Sequence, residues 1–319
     1  MLKNGEKLGA FVVPTGVGAS IGGFAGDASV WARNLSKKCK LIVNPNVVNA
    51  ACFSGINDNM LYVEGYSLDE FFRGKCKLSP SRNNKIGVVF DKSISKDVLN
   101  VHINTINAVK TVYGIDVIGY EVTEKPVGVS FYIDETGSSM GDVNYLDTIK
   151  YSAQKLIGKG ADAIAIVCAF PEDEGSEYEN GIGADPVGGV EAIISHYISK
   201  ELKVPCAHAP AFENIQISTD VVDSRCSAEY ITPTFLPCIL IGLNQAPVLS
   251  EEEGISVNDL DFLVMPYNSL GGVPVFESTK RNIPVYAIKE NKTVLDVTQS
   301  KLGVNCITIG TYEELYNIL

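Results

Sequence analysis

Short runs rich in valine and isoleucine recur along this chain between longer amphipathic stretches, and each run closes near Gly, Pro, Asn or Asp. Repeated βα units around a largely parallel sheet carry this signature. Parallel strands are buried on both faces, so they read as continuous apolar runs, and each needs a crossover helix to bring the chain back. The fold class is therefore α/β. The pattern predicts strands at 9–14, 40–44, 60–64, 85–90, 116–122, 161–170, 204–209, 261–266, 284–288 and 306–310. The clearest intervening helices are 95–113, 144–159, 185–202 and 311–318.

A chain of 319 residues suits two lobes of roughly 150 residues each. The polar segment KLSPSRNNK at 77–85 reads as the join. It separates an N-terminal βα lobe over 1–84, completed by about 225–319, from a second lobe over 85–224. Both are expected to be Rossmann-like, with the site between them. In the stretch 224–247, Pro233 and Pro237 interrupt helical patterns, which suits a return toward the first lobe.

Composition excludes several classes of function. With 45% hydrophobic and 20% charged residues the chain is globular, not disordered. The net charge of −12 comes without any basic stripe, which argues against a nucleic-acid partner. No apolar run is long enough to span a bilayer, and the opening MLKNGEKLGAFVVPTG lacks a signal-length apolar core, so the expectation is a cytoplasmic protein without a membrane partner. Eight cysteines without CxxC spacing read as reduced thiols and not as a zinc site. An acidic two-lobed chain of this size points to a homo-oligomer.

The segment VVPTGVGASIGGFAGDA follows the first strand and precedes a helix near Ala28. Thr15, Gly16, Gly18, Gly22, Gly23 and Asp27 belong to it, and its glycines let backbone N–H groups approach an oxyanion closely. The pattern is neither a Walker loop nor a Rossmann fingerprint. Asn46 and Asn49 follow the second strand, at the carboxyl edge where open parallel sheets hold ligands. In DETGSSMGD, Ser138 and Ser139 stand just before the helix at 144 and could grip a carboxylate or phosphate; the plainer alternative is N-capping by Asp142 or Asn144. The acidic stretch 170–186, with Glu172, Asp173, Glu174, Glu177, Glu179 and Asp185, reads as a solvated lid loop, or as ligands for a hard cation.

Cys206 and His208 share one face of their strand, and His208 is the best general acid/base candidate among three histidines. Near the C-terminal strands, Asn268, Gly271 and Gly272 suggest a second N–H cradle facing the first, and Arg225 is one of only five arginines able to orient an anion.

The phrases PTGVGASIGGFAGDA, NPNVVNAA, LYVEGYSLDEF, CAHAPAF, TFLPCILIGL, GGVPVFES and IKENKTVLDV resemble the uncharacterised family catalogued as domain of unknown function 3326, along nearly the whole chain. A second similarity runs through KIGVVF, GIDVIGYEV, KLIGKGADAIAIVCAF and LKVPCAHA. It looks like one lobe of the aspartate/glutamate racemase superfamily. That resemblance implies Cys168 and Cys52 as thiols facing each other across a substrate α-carbon, although Ala169 and the phrase ACFSG depart from the superfamily's pattern.

Together these readings lead to one expectation: an enzyme acting without a cofactor on a small carboxylate- or phosphate-bearing metabolite, by proton transfer of the isomerase or lyase kind. Cys168, His208, Cys52 and Cys206 would move protons. A metal-assisted hydrolase and a non-catalytic metabolite-binding protein are the alternatives.

Overall fold

The computed structural model describes residues 5–172, 177–214 and 217–319. Twelve strands carry the architecture: β1 (Leu8–Phe11), β2 (Lys40–Val43), β3 (Met60–Tyr62), β4 (Ile86–Phe90), β5 (Val117–Val122), β6 (Val129–Ile133), β7 (Ser139–Val143), β8 (Ala163–Ala169), β9 (Cys206–Ala211), β10 (Phe262–Pro266), β11 (Val285–Ile288) and β12 (Ile307–Ile309). A six-stranded sheet runs in the order β12-β11-β10-β1-β2-β3, and a four-stranded sheet in the order β9-β8-β4-β5. Every pairing within these two sheets is parallel. This is the α/β class expected, with two Rossmann-like lobes. The first sheet takes strands from residues 8–62 and 262–309, and the second takes residues 86–211.

Strand periodicity decides which residues meet. Along β8, Ala163, Ala165 and Val167 join a core that also holds Phe11, Val43 and Leu240, whereas Ile164, Ile166 and Cys168 join a separate core under the helices Leu146–Gly158 and Gly188–Leu202. The first of these cores links the two lobes. At its centre lies the helix Leu236–Asn244, in which Leu236, Cys238, Ile239, Leu240 and Leu243 are buried. This helix, placed by the sequence with the first lobe, packs on β8 and β9 of the second sheet. It is apolar nearly all round, so it can cover one sheet while touching the other lobe.

One local expectation is corrected. The stretch 134–142 does not lead into a helix; β6 and β7 form an antiparallel hairpin with 134–138 as its turn. Asp134 Oδ1 closes that turn by accepting from the N–H groups of Thr136 and Ser138 and from the Thr136 hydroxyl. A short aspartate side chain can replace a backbone turn partner in this way. The following helix has Tyr145 at its N-cap, so neither Asp142 nor Asn144 caps it. No helix among the described residues is long and apolar enough to cross a membrane.

Candidate functional site

A cavity of about 780 Å³ opens between the lobes. The first lobe supplies residues 14–19 and 22–26 after β1 and Pro45, Asn46, Asn49 and Ala51 after β2; the second supplies Glu172, the stretch around Asp185, and His208 with Pro210 from β9. It thus lies outside the carboxyl ends of parallel strands, where the loops that come after the strands can converge.

The glycine segment forms the first wall. Among the described residues, no acceptor takes the N–H groups of Thr15, Gly16, Val17, Gly18 or Ala19, although Gly16, Val17 and Ala19 are buried and all five line the cavity. Gly16 and Gly18 have φ of 69° and 55°, with Val17 between them outside the left-handed region. Backbone of alternating hand is what turns successive N–H groups toward one concave side in anion-binding nests. The second half of the segment is already occupied internally. Asp27 Oδ1 accepts from Gly22 N–H at 2.7 Å and Phe24 N–H at 3.2 Å, and burial pushes its pKa up to about 6. Asp27 therefore shapes the loop and does not itself line the cavity.

Asparagines pin this wall to the sheet. Asn44 bridges both polar groups of Val13, and the Asn46 amide donates to the Pro14 carbonyl while its Oδ1 accepts from the Thr15 hydroxyl. Asn49 donates to the Tyr62 hydroxyl, but its Oδ1 is buried with no donor.

The facing wall carries the chemistry. His208 Nδ1 lies 2.9 Å from Ser195 Oγ, and Nε2 lies 3.5 Å from Glu191 Oε2. The Ser195 hydroxyl has the carbonyls of Glu191 and Ala192 to receive its proton, so Nδ1–H donates to Oγ and the Nε2 lone pair faces Glu191. Burial, and then the neighbouring Asp185, raise the Glu191 pKa well above the carboxylate range; burial, and then His196, lower that of His208. Burial thus favours the protonated carboxyl at Glu191 and the uncharged ring at His208. Glu191 is 7% exposed, lines the cavity, and leaves Oε1 with no donor.

Beside them, Glu229 accepts from the Tyr178 hydroxyl at 3.4 Å, and burial followed by Asp185 raises its pKa to about 8. Six carboxyl residues line the cavity (Glu172, Glu179, Asp185, Glu191, Asp220 and Glu229), and among the described lining residues there is no Lys or Arg.

Two contacts hold the walls together. Phe24 of the glycine segment stacks on Tyr178 with ring centroids 5.0 Å apart, and the Arg225 guanidinium sits 4.4 Å from the centre of the Phe24 ring while bonding Asp223 and the Gly181 carbonyl. Arg225 thus braces the Phe24 ring without lining the cavity. Ser139 is the other brace: its N–H donates to the Gly16 carbonyl, and its hydroxyl donates to the Pro186 carbonyl and accepts from Gly189 N–H. Ser138 belongs to the hairpin turn and does not line the cavity.

The structure thus brings Thr15, Gly16, Gly18, Gly22, Gly23, Asn46, Asn49 and His208 to one place. It does not bring Cys52, Cys168 or Cys206 there, although another thiol, Cys238, lines the cavity. Cys168 is 1% exposed within the outer core of the second lobe, Cys206 lies in the same core, and burial raises both thiols well above their usual range. Cys52 sits half-buried in a tight turn off the cavity, so no pair of these thiols spans it. The second cradle is also elsewhere: Asn268 spends its side chain on the backbone of Thr293 and Leu295, and Gly271 and Gly272 stand off the cavity at the start of the helix Val273–Lys280. Contact from that side comes instead from 290–294, where Lys292 and Asn291 bond Ser20 and Ile21.

Glu172 accepts from Asn214 N–H, while Asp173 and Glu174 lie outside the described residues. Among the described residues, no three His, Cys, Asp or Glu side chains are grouped to hold a metal ion.

Glu191, Glu229, Tyr178 and Ser195 escape the sequence reading. Glu191 carries a signal nonetheless: with Ile194, Ser195 and Ile198 it falls on the buried stripe of its helix, a carboxyl at a core position.

The family model for proteins of unknown function designated DUF3326 matches residues 9–319. An uncharacterized lipoprotein of a Synechococcus strain is 36% identical over 313 residues, covering 95% of this chain and 87% of its own length.

Proposed function

Since the chain belongs to that family of unknown function, its activity has to be argued from the cavity, and we propose a cofactor-independent enzyme that moves a proton on a small carboxylate-bearing metabolite. One observation carries this reading: Glu191, a buried carboxyl pushed toward its protonated form, faces His208, an imidazole pushed toward its neutral form, at 3.5 Å in a cavity walled by unused N–H groups. Paired titratable groups driven apart by their surroundings supply an acid and a base at the same pH. His208 Nε2 would take a proton from the ligand and Glu191 would return one elsewhere on it, giving isomerisation, or elimination where the second proton leaves with a departing group. The N–H row would hold the carboxylate and stabilise charge developing on it.

The test is solvent exchange. A ligand found by thermal shift should take up deuterium from D₂O, followed by NMR, and Glu191→Gln or His208→Asn should slow this by about a hundredfold or more while the ligand still binds. Full exchange in both variants refutes the reading. Binding without exchange in the unmodified chain leaves a non-catalytic binding protein instead.

The same reading places the protein in the cytoplasm, supported by eight unpaired cysteines that suit a reducing compartment. Because the Synechococcus relative is named a lipoprotein, fractionation of cells is the check, and recovery with membranes overturns the placement.

A further inference from the structure

The charge and hydrogen-bond pattern of the cavity constrains the ligand beyond its having a carboxylate, an inference that rests on the cavity being the site proposed above. The glycine wall offers donors: the N–H groups from Thr15 to Ala19 have no acceptor among the described residues. The opposite wall offers buried acceptors. Glu191 Oε1, on a residue 7% exposed, has no donor, and the same holds for Asn49 Oδ1 nearer the first lobe. An unpaired buried acceptor is destabilising, so a ligand that brings donors to these atoms recovers that cost. A multiply charged anion such as a phosphate ester meets six lining carboxyl residues and, among the described lining residues, no Lys or Arg, and the Arg225 guanidinium behind Phe24 is committed to Asp223 and the Gly181 carbonyl.

We propose that the cavity takes an extended aminocarboxylate, with its carboxylate on the Gly16–Ala19 N–H row and its protonated amine against Glu191 and Glu229. The two poles stand on walls from different lobes, and about 780 Å³ holds a molecule well beyond a single amino acid in size, so several bonds separate amine from carboxylate. Apolar side chains also line the cavity, Phe212, Phe235 and Ile239 among them, and suit an uncharged middle. An arriving ammonium stabilises the ionised form of a carboxyl beside it, so binding expels a proton from Glu229, whose burial holds it protonated in its absence, while Glu191 accepts at Oε1 and keeps the proton that it donates in the chemistry.

The experiment uses the full chain and matched probes. 6-Aminohexanoate and trialanine carry both poles; hexanoate and N-acetyltrialanine lack the amine; hexylamine and trialanine amide lack the carboxylate. The two-pole probes are expected to raise the melting temperature by about 2 °C or more, with the single-pole probes giving little or no shift. Calorimetry in buffers of different ionisation enthalpy should show proton release with trialanine and none with N-acetyltrialanine. Glu229→Gln should weaken trialanine about tenfold and leave N-acetyltrialanine unchanged. Equal shifts from hexanoate and 6-aminohexanoate, or no shift from either two-pole probe, overturn the proposal. Should that variant fail to fold, the panel and the proton count on the unmodified chain decide alone. Deuterium exchange into any other ligand that binds would then uphold proton transfer while the aminocarboxylate assignment fell.

Discussion

Glu64 offers a test of the fold's electrostatics that needs no ligand. Its carboxyl caps the helix Gly65–Phe72, accepting from the N–H groups of Tyr66 and Ser67 and from the Ser67 hydroxyl, yet it is only 3% exposed. Burial outweighs those hydrogen bonds and raises its pKa from 4.5 to about 7. A carboxyl whose folded pKa lies above its unfolded value favours the fold only while protonated. Its contribution is complete below pH 4.5 and is lost as pH rises to about 7. A shift of about 2.5 units corresponds to about 3.4 kcal/mol. Glu64→Gln keeps an acceptor for the helix N–H groups but does not titrate. The stability of the wild type relative to this variant should therefore fall by about 3 kcal/mol between about pH 4 and pH 8. Urea unfolding of both proteins across that range measures it, and subtraction cancels the other raised carboxyls, Asp27 and Glu229 among them. A difference that stays flat to within about 0.5 kcal/mol would refute the argument that desolvation dominates at this cap.

Cys168→Ala should cost about 1–2 kcal/mol of stability and leave ligand binding unchanged, because the thiol packs in the outer core; a selective loss of turnover would restore it to the chemistry. In the same vein, alkylation of the native chain should reach Cys52, Cys76 and Cys306 well before the five buried thiols. Gly18→Ala should cost about 1–2 kcal/mol from its backbone alone, and its new Cβ would lie 2.8 Å from Val294 Cγ1, so the N–H row should shift. Unchanged ligand affinity in that variant, by calorimetry, would count against the row as the anion seat.

The parallel α/β class and most strands are legible in the residues, because a strand buried on both faces must be apolar along its whole length and a parallel connection must cross over. The glycine segment and the two asparagines near it are legible for a similarly local reason: N–H groups approach a ligand closely only where side chains stay out of the way, and strand ends are where parallel sheets bind. Tertiary structure alone decided the rest. Cys168 and Ala169 are neighbours in sequence, yet strand alternation sends the thiol into the outer core, so a cysteine at the right place in a motif is removed from the cavity. Asp27, Arg225 and Ser139 carry the residue types of an anion site, but each finds its partner in the protein: the loop N–H groups, Phe24 with Asp223, and the Pro186 carbonyl. Glu191 looks like any acid in the first turn of a helix. It joins the candidate site only because that helix lies over β9 and lowers its carboxyl beside His208, out of water, where burial disfavours the charged form of both groups.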